Sequence, residues 1–175
     1  MAVAEHVSAD RYLHTSFEHD AEFVDGKIVE RAVPTWEHAS MQGFLIRELW
    51  AIGRRLGLFA VPEQRVQVSG NRFRVPDVCM VAEKPEGAPG RRIVTQPPYL
   101  CVEILSPEDA AVETLEKVRE YLSFGVKWVW VIDALYRERP VSRAGQVHGP
   151  NSVTAVENRI FATDRFSVDL SLAEY

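Results

Sequence analysis

The stretch YLCVEILSP at residues 99–107 combines a buried-strand pattern with a single acid. From Tyr99 to Leu105 both faces of an extended chain would be apolar except at Glu103. Continuous apolar runs of this length are typical of strands that are covered on both faces. A carboxylate inside such a strand costs several kcal/mol, on the order of the penalty for an unpaired buried ion, unless it is paired or bound to a metal. Glu103 therefore marks either a buried ion pair or a site.

The preceding strand pattern carries a second acid in the same kind of position. Residues 72–81 read RFRVPDVCMV, and the alternating positions of one face are apolar except for Asp77. We expect the two strands to pair antiparallel with Asp77 facing Glu103, which would also place Cys79 opposite Cys101. This register makes the two acids neighbours on one face of a sheet.

Two facing carboxylates repel each other, so either a cation lies between them or one of them holds a proton. A hard divalent ion such as Mg²⁺ or Mn²⁺, completed by water and phosphate oxygens, meets this requirement. The structural alternative is neutralisation by Arg72, Arg74 or Lys117. If the acids hold a metal, Asp77→Asn and Glu103→Gln should leave the metal-free protein as stable as before or more stable, because each change removes repulsion.

The residues before these strands predict a hairpin and a long helix. Glu22 to Glu30 predicts a hairpin around Asp25-Gly26, since Asp-Gly favours a two-residue turn. A helix is expected to begin after Thr35 and to end at Gly57. Its inward positions, spaced by three or four residues, are His38, Met41, Leu45, Leu49, Ile52 and Leu56.

The whole chain then predicts an α/β fold. Strands are expected at 58–68, 72–81, 99–105 and 126–132, and a second helix at 110–124 with an apolar stripe of Ala111, Leu115, Val118 and Leu122. The order is helix, three-strand meander, helix, strand, which gives one mixed sheet with a right-handed crossover through the second helix. The N-terminal hairpin and short C-terminal β pieces add to this core. We expect one domain over residues 1–175, of which 46% are hydrophobic.

The amino-acid composition and net charge disfavour several classes of protein and kinds of site. The formal net charge of −5 does not indicate a basic nucleic-acid-binding face, although a local one can coexist with an acidic whole. The two cysteines form no CxxC motif, so a structural zinc site is not expected. Without a signal peptide or an apolar run of membrane-spanning length, a cytoplasmic protein with no membrane contact is expected.

Several motifs together resemble one bacterial protein family. They are Val75-Pro76-Asp77-Val78, Val102-Glu103-Ile104-Leu105-Ser106-Pro107, Glu116-Lys117 with Tyr121, and the run from Trp128 to Asp133. In this order and spacing they are similar to a bacterial restriction-endonuclease family, long a domain of unknown function, of the PD-(D/E)XK nuclease superfamily. The resemblance covers nearly the whole chain. It implies a restriction-endonuclease-like core, a metal-dependent endonuclease activity on nucleic acid, and a homodimer.

One position departs from the superfamily pattern. The superfamily has a lysine two residues after the acid of the third strand, and here that position is Leu105. The resemblance implies that Lys117 of the next helix supplies this charge instead, with Tyr121 one turn further along the same flank. The alternative for the lysine is a surface pair with Glu113.

Three other side chains are candidates for the site, each with a structural alternative. His38 could serve as a ligand or a proton carrier, or be a satisfied histidine at a helix end. Tyr121 could contact the site or pack in the core. Glu63 could add a further acid or be an exposed strand residue.

These features predict an enzyme that hydrolyses phosphodiester bonds. Asp77 and Glu103 would hold Mg²⁺ or Mn²⁺, and Lys117 would stabilise charge on the phosphoryl oxygens or orient the attacking water. The expected substrate is nucleic acid, DNA by the resemblance. The alternative function is a non-catalytic nucleic-acid- or protein-binding module of the same fold, which the acidic net charge and Leu105 favour.

Overall fold

The structure of the protein is a computed structural model that describes residues 7–17, 21–87, 92–106, 111–135, 145–148, 153–155 and 160–170. Pro107 and Ala110 of the predicted elements lie outside these residues. The helices are α1 (Ala9–His14), α2 (Trp36–Leu56) and α3 (Ala111–Phe124). No helix in these ranges is both long and apolar enough to cross a membrane.

Helix α2 begins and ends where the sequence predicts. The Thr35 side chain accepts a hydrogen bond from the His38 amide at 3.3 Å, which satisfies one free N–H of the first turn. Gly57 ends the helix in the left-handed conformation at a φ of 71°, which glycine adopts without steric cost. The first turn of α2 is therefore fixed in place, and with it His38.

The strands of the described residues fall into three sheets, and the predicted mixed sheet is the six-stranded one. A six-stranded mixed sheet has the order β10-β9-β8-β7-β6-β3, a four-stranded antiparallel sheet has the order β2-β1-β5-β4, and β11 pairs with β12. The strands are β1 (Ala21–Val24), β2 (Lys27–Glu30), β3 (Phe59–Pro62), β4 (Val66–Ser69), β5 (Arg72–Arg74), β6 (Val78–Val81), β7 (Leu100–Leu105), β8 (Trp128–Asp133), β9 (Gly145–His148), β10 (Val153–Ala155), β11 (Ile160–Ala162) and β12 (Ser167–Asp169).

The centre of the six-stranded sheet confirms the predicted register. Strands β6 and β7 are antiparallel with Cys79 opposite Cys101, and both cysteines are buried and free. Strand β8 is parallel to β7 and is reached through α3. The α/β class, the mixed sheet, the N-terminal hairpin and the C-terminal β additions are all present.

The prediction of single long strands at 58–68 and 72–81 is wrong. Each is divided between the two larger sheets: β3 pairs with β6, whereas β4 pairs with β5. The first break contains Glu63, whose φ is 48°, and the second contains Pro76, which has no N–H to donate to a ladder. This hairpin therefore crosses from one sheet to the other, and Asp77 lies at the crossing, just before β6.

Three apolar clusters of described residues hold the layers together. Helix α2 packs on one face of the six-stranded sheet and α3 on the other, while Tyr12 of α1 packs against Phe23 and Phe73 of the four-stranded sheet. The predicted stripe of α3 is wrong at its N-terminal end, because Leu115 is 54% exposed and Ala111 is also exposed. Val118 and Tyr121 are the buried residues, since the first turns of α3 line a polar cleft rather than the core.

Candidate active site

A cleft of about 530 Å³ opens between the β1–β2 hairpin, the start of α2, the end of β7 and the first turns of α3. Three buried acids lie on its walls: Glu22 is 2% exposed, Asp77 is 3% exposed and Glu103 is 6% exposed. Arg31 and Lys117 line the same cleft. The cleft therefore lies where the two larger sheets meet, and buried charged side chains line it.

The two carboxylate oxygens of Asp77 have different surroundings. Oδ2 accepts the Ile104 amide hydrogen at 2.6 Å and lies 3.3 Å from Nε2 of His38. Oδ1 accepts a hydrogen bond from Nη2 of Arg31 at 2.5 Å. Burial acts to raise the pKa of Asp77, but the hydrogen bond and charge of His38 and the charge of Arg31 outweigh it and hold the pKa below its usual value. Asp77 is therefore stabilised as an anion.

The backbone of Asp77 is also held in place. Its carbonyl oxygen accepts hydrogen bonds from the Gln42 side chain at 2.9 Å and from the Glu63 amide at 3.3 Å. These contacts replace the ladder bonds that the break between β5 and β6 removes. The acid is consequently positioned by α2 and by the strand crossing. The described contacts of its carboxylate are with Arg31, the Ile104 amide and His38.

Glu103 shows the same division between its two oxygens. Oε1 accepts a hydrogen bond from the Tyr121 hydroxyl at 2.6 Å, and Oε2 accepts one from Nζ of Lys117 at 3.2 Å. Burial raises the pKa of Glu103 to about 7, and the charges of Asp77 and Glu22 add to this effect against the opposing charge of Lys117. The negative charge on Glu103 is therefore only partly compensated by the protein.

Lys117 is shared between two buried acids. Its Nζ lies 3.1 Å from Oε1 of Glu22 as well as 3.2 Å from Glu103. Glu22 is fixed in turn by Nη1 of Arg74 at 2.8 Å and by the Val75 amide at 3.1 Å. Burial acts to lower the pKa of Lys117, but Glu103 and Glu22 outweigh it and hold the pKa above its usual value. Lys117 is thus held in its charged form, in which it can stabilise negative charge.

The donor set fits a hard divalent cation. No group of three or more His, Cys, Asp or Glu side chains suited to a metal occurs within the part of the chain that the structure describes. Mg²⁺, however, commonly takes one or two carboxylates and completes its shell with water and phosphate oxygens. Asp77 and Glu103 each have one carboxylate oxygen held by other protein groups, and the second oxygen contacts Arg31 in Asp77 and Lys117 in Glu103. The charge of Glu103 is incompletely neutralised.

The comparisons with known proteins give the family. The family described as "Uma2: Putative restriction endonuclease" matches residues 10–173. The chain belongs to this family. Among solved structures, a protein described as a "putative nuclease" from Anabaena variabilis ATCC 29413 is similar to this Uma2 chain with a TM-score of 0.73 and 20% identity. The similarity covers 94% of this chain and 92% of that one, and it shows that the fold is shared. None of the curated proteins compared matches the chain.

In this Uma2 chain the structure brings the five predicted site residues together. His38 and Asp77 are in contact, and Lys117 and Tyr121 both donate to Glu103. The described ion pairs of Lys117 are thus with Glu22 and Glu103 rather than with Glu113. His38 is buried, and its Nδ1 has no hydrogen-bond partner among the described residues.

Other residues of the cleft were not identified from the sequence of this Uma2 chain. Arg31 and Glu22 were not predicted, and Glu63 proves to be a rim residue 3.6 Å from Nη1 of Arg31. Neither Arg72 nor Arg74 supplies the described ion-pair partners of Asp77 and Glu103; these are Arg31, His38 and Lys117. An acid between Ala21 and Phe23 on a short strand is the one signal that could have indicated Glu22.

Proposed function

We propose that this protein is a metal-dependent endonuclease that hydrolyses phosphodiester bonds in DNA. The observation that supports it best is the shared arrangement of Asp77 and Glu103 in one cleft. Each acid has one oxygen fixed by a protein donor and the other facing a cleft cation. Family membership supports a nuclease, and the metal, the DNA substrate and the roles of the residues are the proposal.

The residues would divide the work as follows. Asp77 and Glu103 would hold Mg²⁺ or Mn²⁺, which when bound polarises the scissile phosphate and lowers the pKa of a water molecule. Lys117, held between Glu22 and Glu103, would place a permanent positive charge beside the phosphoryl oxygens. Tyr121 and His38 would orient Glu103 and Asp77 respectively, since each contacts one oxygen of that acid.

The proposal also includes the oligomeric state, the domain organisation and the cellular location of the protein. By resemblance to the nuclease superfamily, the protein would act as a homodimer, so that both DNA strands can be cut. We further propose that residues 1–175 act as a single domain in the cytoplasm. The family match over residues 10–173 supports the single domain, because it spans nearly the whole chain.

A second candidate function is a non-catalytic binding module of the same fold. The specific observation that favours it is the ion pair between Arg31 and Asp77, which neutralises one of the two acids without a metal. The net charge of −5 and Leu105 in the position of the superfamily lysine also favour it. Such a module would be indifferent to divalent cations.

Metal-dependent stabilisation tests the proposed function first. We expect Mg²⁺ and Mn²⁺ to raise the melting temperature of the protein, because a ligand that binds only the folded state stabilises it. The same ions should support cleavage of plasmid DNA. Glu48→Gln, which neutralises an acid of α2 paired with Arg47, is a matched control that should keep both effects. A melting temperature that neither ion changes, together with intact DNA, would leave the binding module as the better account.

Replacing Lys117 should separate metal binding from turnover. In Lys117→Met the stabilisation by Mn²⁺ should persist, while the cleavage rate falls by about 100-fold or more, as when one charge-stabilising group is removed. Lys127→Met is the control, because Lys127 pairs with Asp164 outside the cleft. Cleavage at the wild-type rate by Lys117→Met would exclude an action of the lysine on the phosphate.

A further inference from the structure

Arg31 contacts Oδ1 of Asp77, whereas the Ile104 amide and His38 contact Oδ2. It follows β2 directly, in the segment at residues 31–35 that joins β2 to α2 without regular structure. Its Nη2 donates to Oδ1 of Asp77 at 2.5 Å, and its Nη1 lies 3.6 Å from Oε1 of Glu63. Oδ1 is also the oxygen through which the proposed function would have Asp77 bind a metal. The guanidinium and a divalent cation therefore compete for the same atom.

Arg31 and Lys117 differ in the ion pairs that they keep if a metal displaces them from Asp77 and Glu103. Lys117 keeps Glu22, whose side chain is 3% exposed, at 3.1 Å. Arg31 keeps only Glu63 among its described ion-pair partners, at 3.6 Å, and that side chain is 46% exposed. Ion pairs with exposed acids contribute little, about 1 kcal/mol or less. Arg31 is thus the cation that a metal would release.

The net charge of the cleft favours binding of the metal before binding of the nucleic acid. Among the described residues, seven Glu and Asp side chains line it, against four Lys and Arg side chains. A phosphodiester entering the metal-free cleft would meet excess negative charge, and the Arg31 guanidinium is already paired with Asp77. The two positive charges of a divalent cation offset most of this excess. Its binding to Asp77 also frees an arginine, whose fork of N–H donors suits phosphate.

We propose that Arg31 is a phosphate-binding residue that the metal releases. In the metal-free protein it masks Asp77, and when a divalent cation binds Asp77 the guanidinium turns to a phosphate oxygen of the nucleic acid. This rests on the proposed function. It adds that metal and nucleic acid bind with positive coupling and that Arg31 carries the coupling. By linkage each ligand then raises the affinity for the other by the same factor.

Binding measurements on Arg31→Gln test this proposal without reference to turnover. Calorimetry would give the affinity for Ca²⁺ alone, for a short DNA duplex alone, and for the duplex with Ca²⁺ present; Ca²⁺ takes the same oxygen ligands as Mg²⁺. For the wild type we expect Ca²⁺ to raise the affinity for DNA by about tenfold or more, within the usual range of coupling between sites. In Arg31→Gln the affinity for Ca²⁺ alone should rise, because the competitor is gone, and the coupling should fall several-fold.

Two further variants keep the proposal falsifiable. Arg47→Gln removes an arginine of α2 that pairs with Glu48, and should behave as the wild type. If Arg31→Gln does not fold, Arg31→Lys should still lower the coupling, because an ammonium lacks the two-pronged contact with phosphate. A wild type that binds no Ca²⁺, Mg²⁺ or Mn²⁺ would defeat the proposed function itself. A wild type that binds metal, with unchanged metal affinity in Arg31→Gln or full coupling in either Arg31 variant, would overturn the role of Arg31 alone.

Discussion

Neutralising the two acids one at a time is expected to change the stability of the metal-free protein in opposite directions. Glu103→Gln should raise the melting temperature above pH 7, because the pKa of Glu103 in the folded protein is raised to about 7 and its charge there is unfavourable. Asp77→Asn should lower it, because Arg31 and the Ile104 amide lose an anionic acceptor in a buried place. Breaking a buried pair in this way costs about 3–5 kcal/mol.

The dependence on pH separates the two effects. A carboxyl whose pKa is raised by folding stabilises the protein below its unfolded pKa of 4.5 and loses that contribution as the pH rises through about 7. The advantage of Glu103→Gln should therefore grow between these values. For Asp77, whose pKa is lowered, the cost of Asp77→Asn should be largest near neutral pH and diminish as acid protonates the wild type.

Thermal melting of both variants with and without Mn²⁺ measures these effects, and both should lose the Mn²⁺ shift. Glu48→Gln serves as the control, because its acid lies outside the cleft. From the sequence, neither variant is expected to lose stability if the acids hold a metal. The contacts of Asp77 with Arg31 and Ile104 are the reason for revising that prediction for Asp77. Destabilisation of Glu103→Gln above pH 7, with an unchanged response to Mn²⁺, would contradict the account of the site given above.

Arg74→Met is expected to be among the most destabilising single changes near the cleft. Arg74 is 6% exposed and donates to Glu22 at 2.8 Å and to Glu120 at 2.6 and 2.9 Å. Its loss would leave Glu22 buried with one cation fewer, at a cost of about 3–5 kcal/mol. Because the cations hold the pKa of Glu22 below its usual value despite its burial, this cost should shrink as the pH falls and Glu22 takes up a proton.

Denaturant unfolding would measure the cost, and Arg72→Met provides the comparison. Arg72 lies two residues earlier on β5 and pairs with Asp25, Glu116 and Glu120 in a more exposed setting. Exposed pairs contribute about 1 kcal/mol or less, so this variant should lose much less stability. Equal losses for the two variants would show that the buried position of Arg74 adds nothing.

The parts of the fold that the sequence predicted depend on local patterns. The continuous apolar runs of β7 and β8 and the alternation in β6 can be identified in short windows, and the pairing of Cys79 with Cys101 follows from two strands and one register. The division of the hairpin between two sheets is different. It depends on Glu63 and Pro76 at the breaks and on the β1–β2 hairpin that receives β5, a contact between distant segments.

The same distinction explains the site. Asp77 and Glu103 could be recognised because an acid in an apolar strand is conspicuous within ten residues of sequence. Arg31 is an unremarkable basic residue in an irregular segment, and its partner lies 46 positions further along the chain. Glu22 likewise meets Arg74 across 52 positions. The first pairing arises only when the two larger sheets come together, and the second only when β1 pairs with β5. Both join distant segments, so single-sequence patterns carry no information about them.

The facing cysteines give this protein a chemical reporter beneath its cleft. Cys79 lies two positions after Asp77, and Cys101 two positions before Glu103. Burial raises the pKa of Cys79 to about 12 and that of Cys101 well above its usual value, so almost no reactive thiolate forms in the closed sheet. Alkylation then requires β6 and β7 to separate, and its rate measures how often that opening occurs. The alkylation rate of the thiols would thus report how often the strand pair that carries the acids opens locally. The measurement requires no ligand.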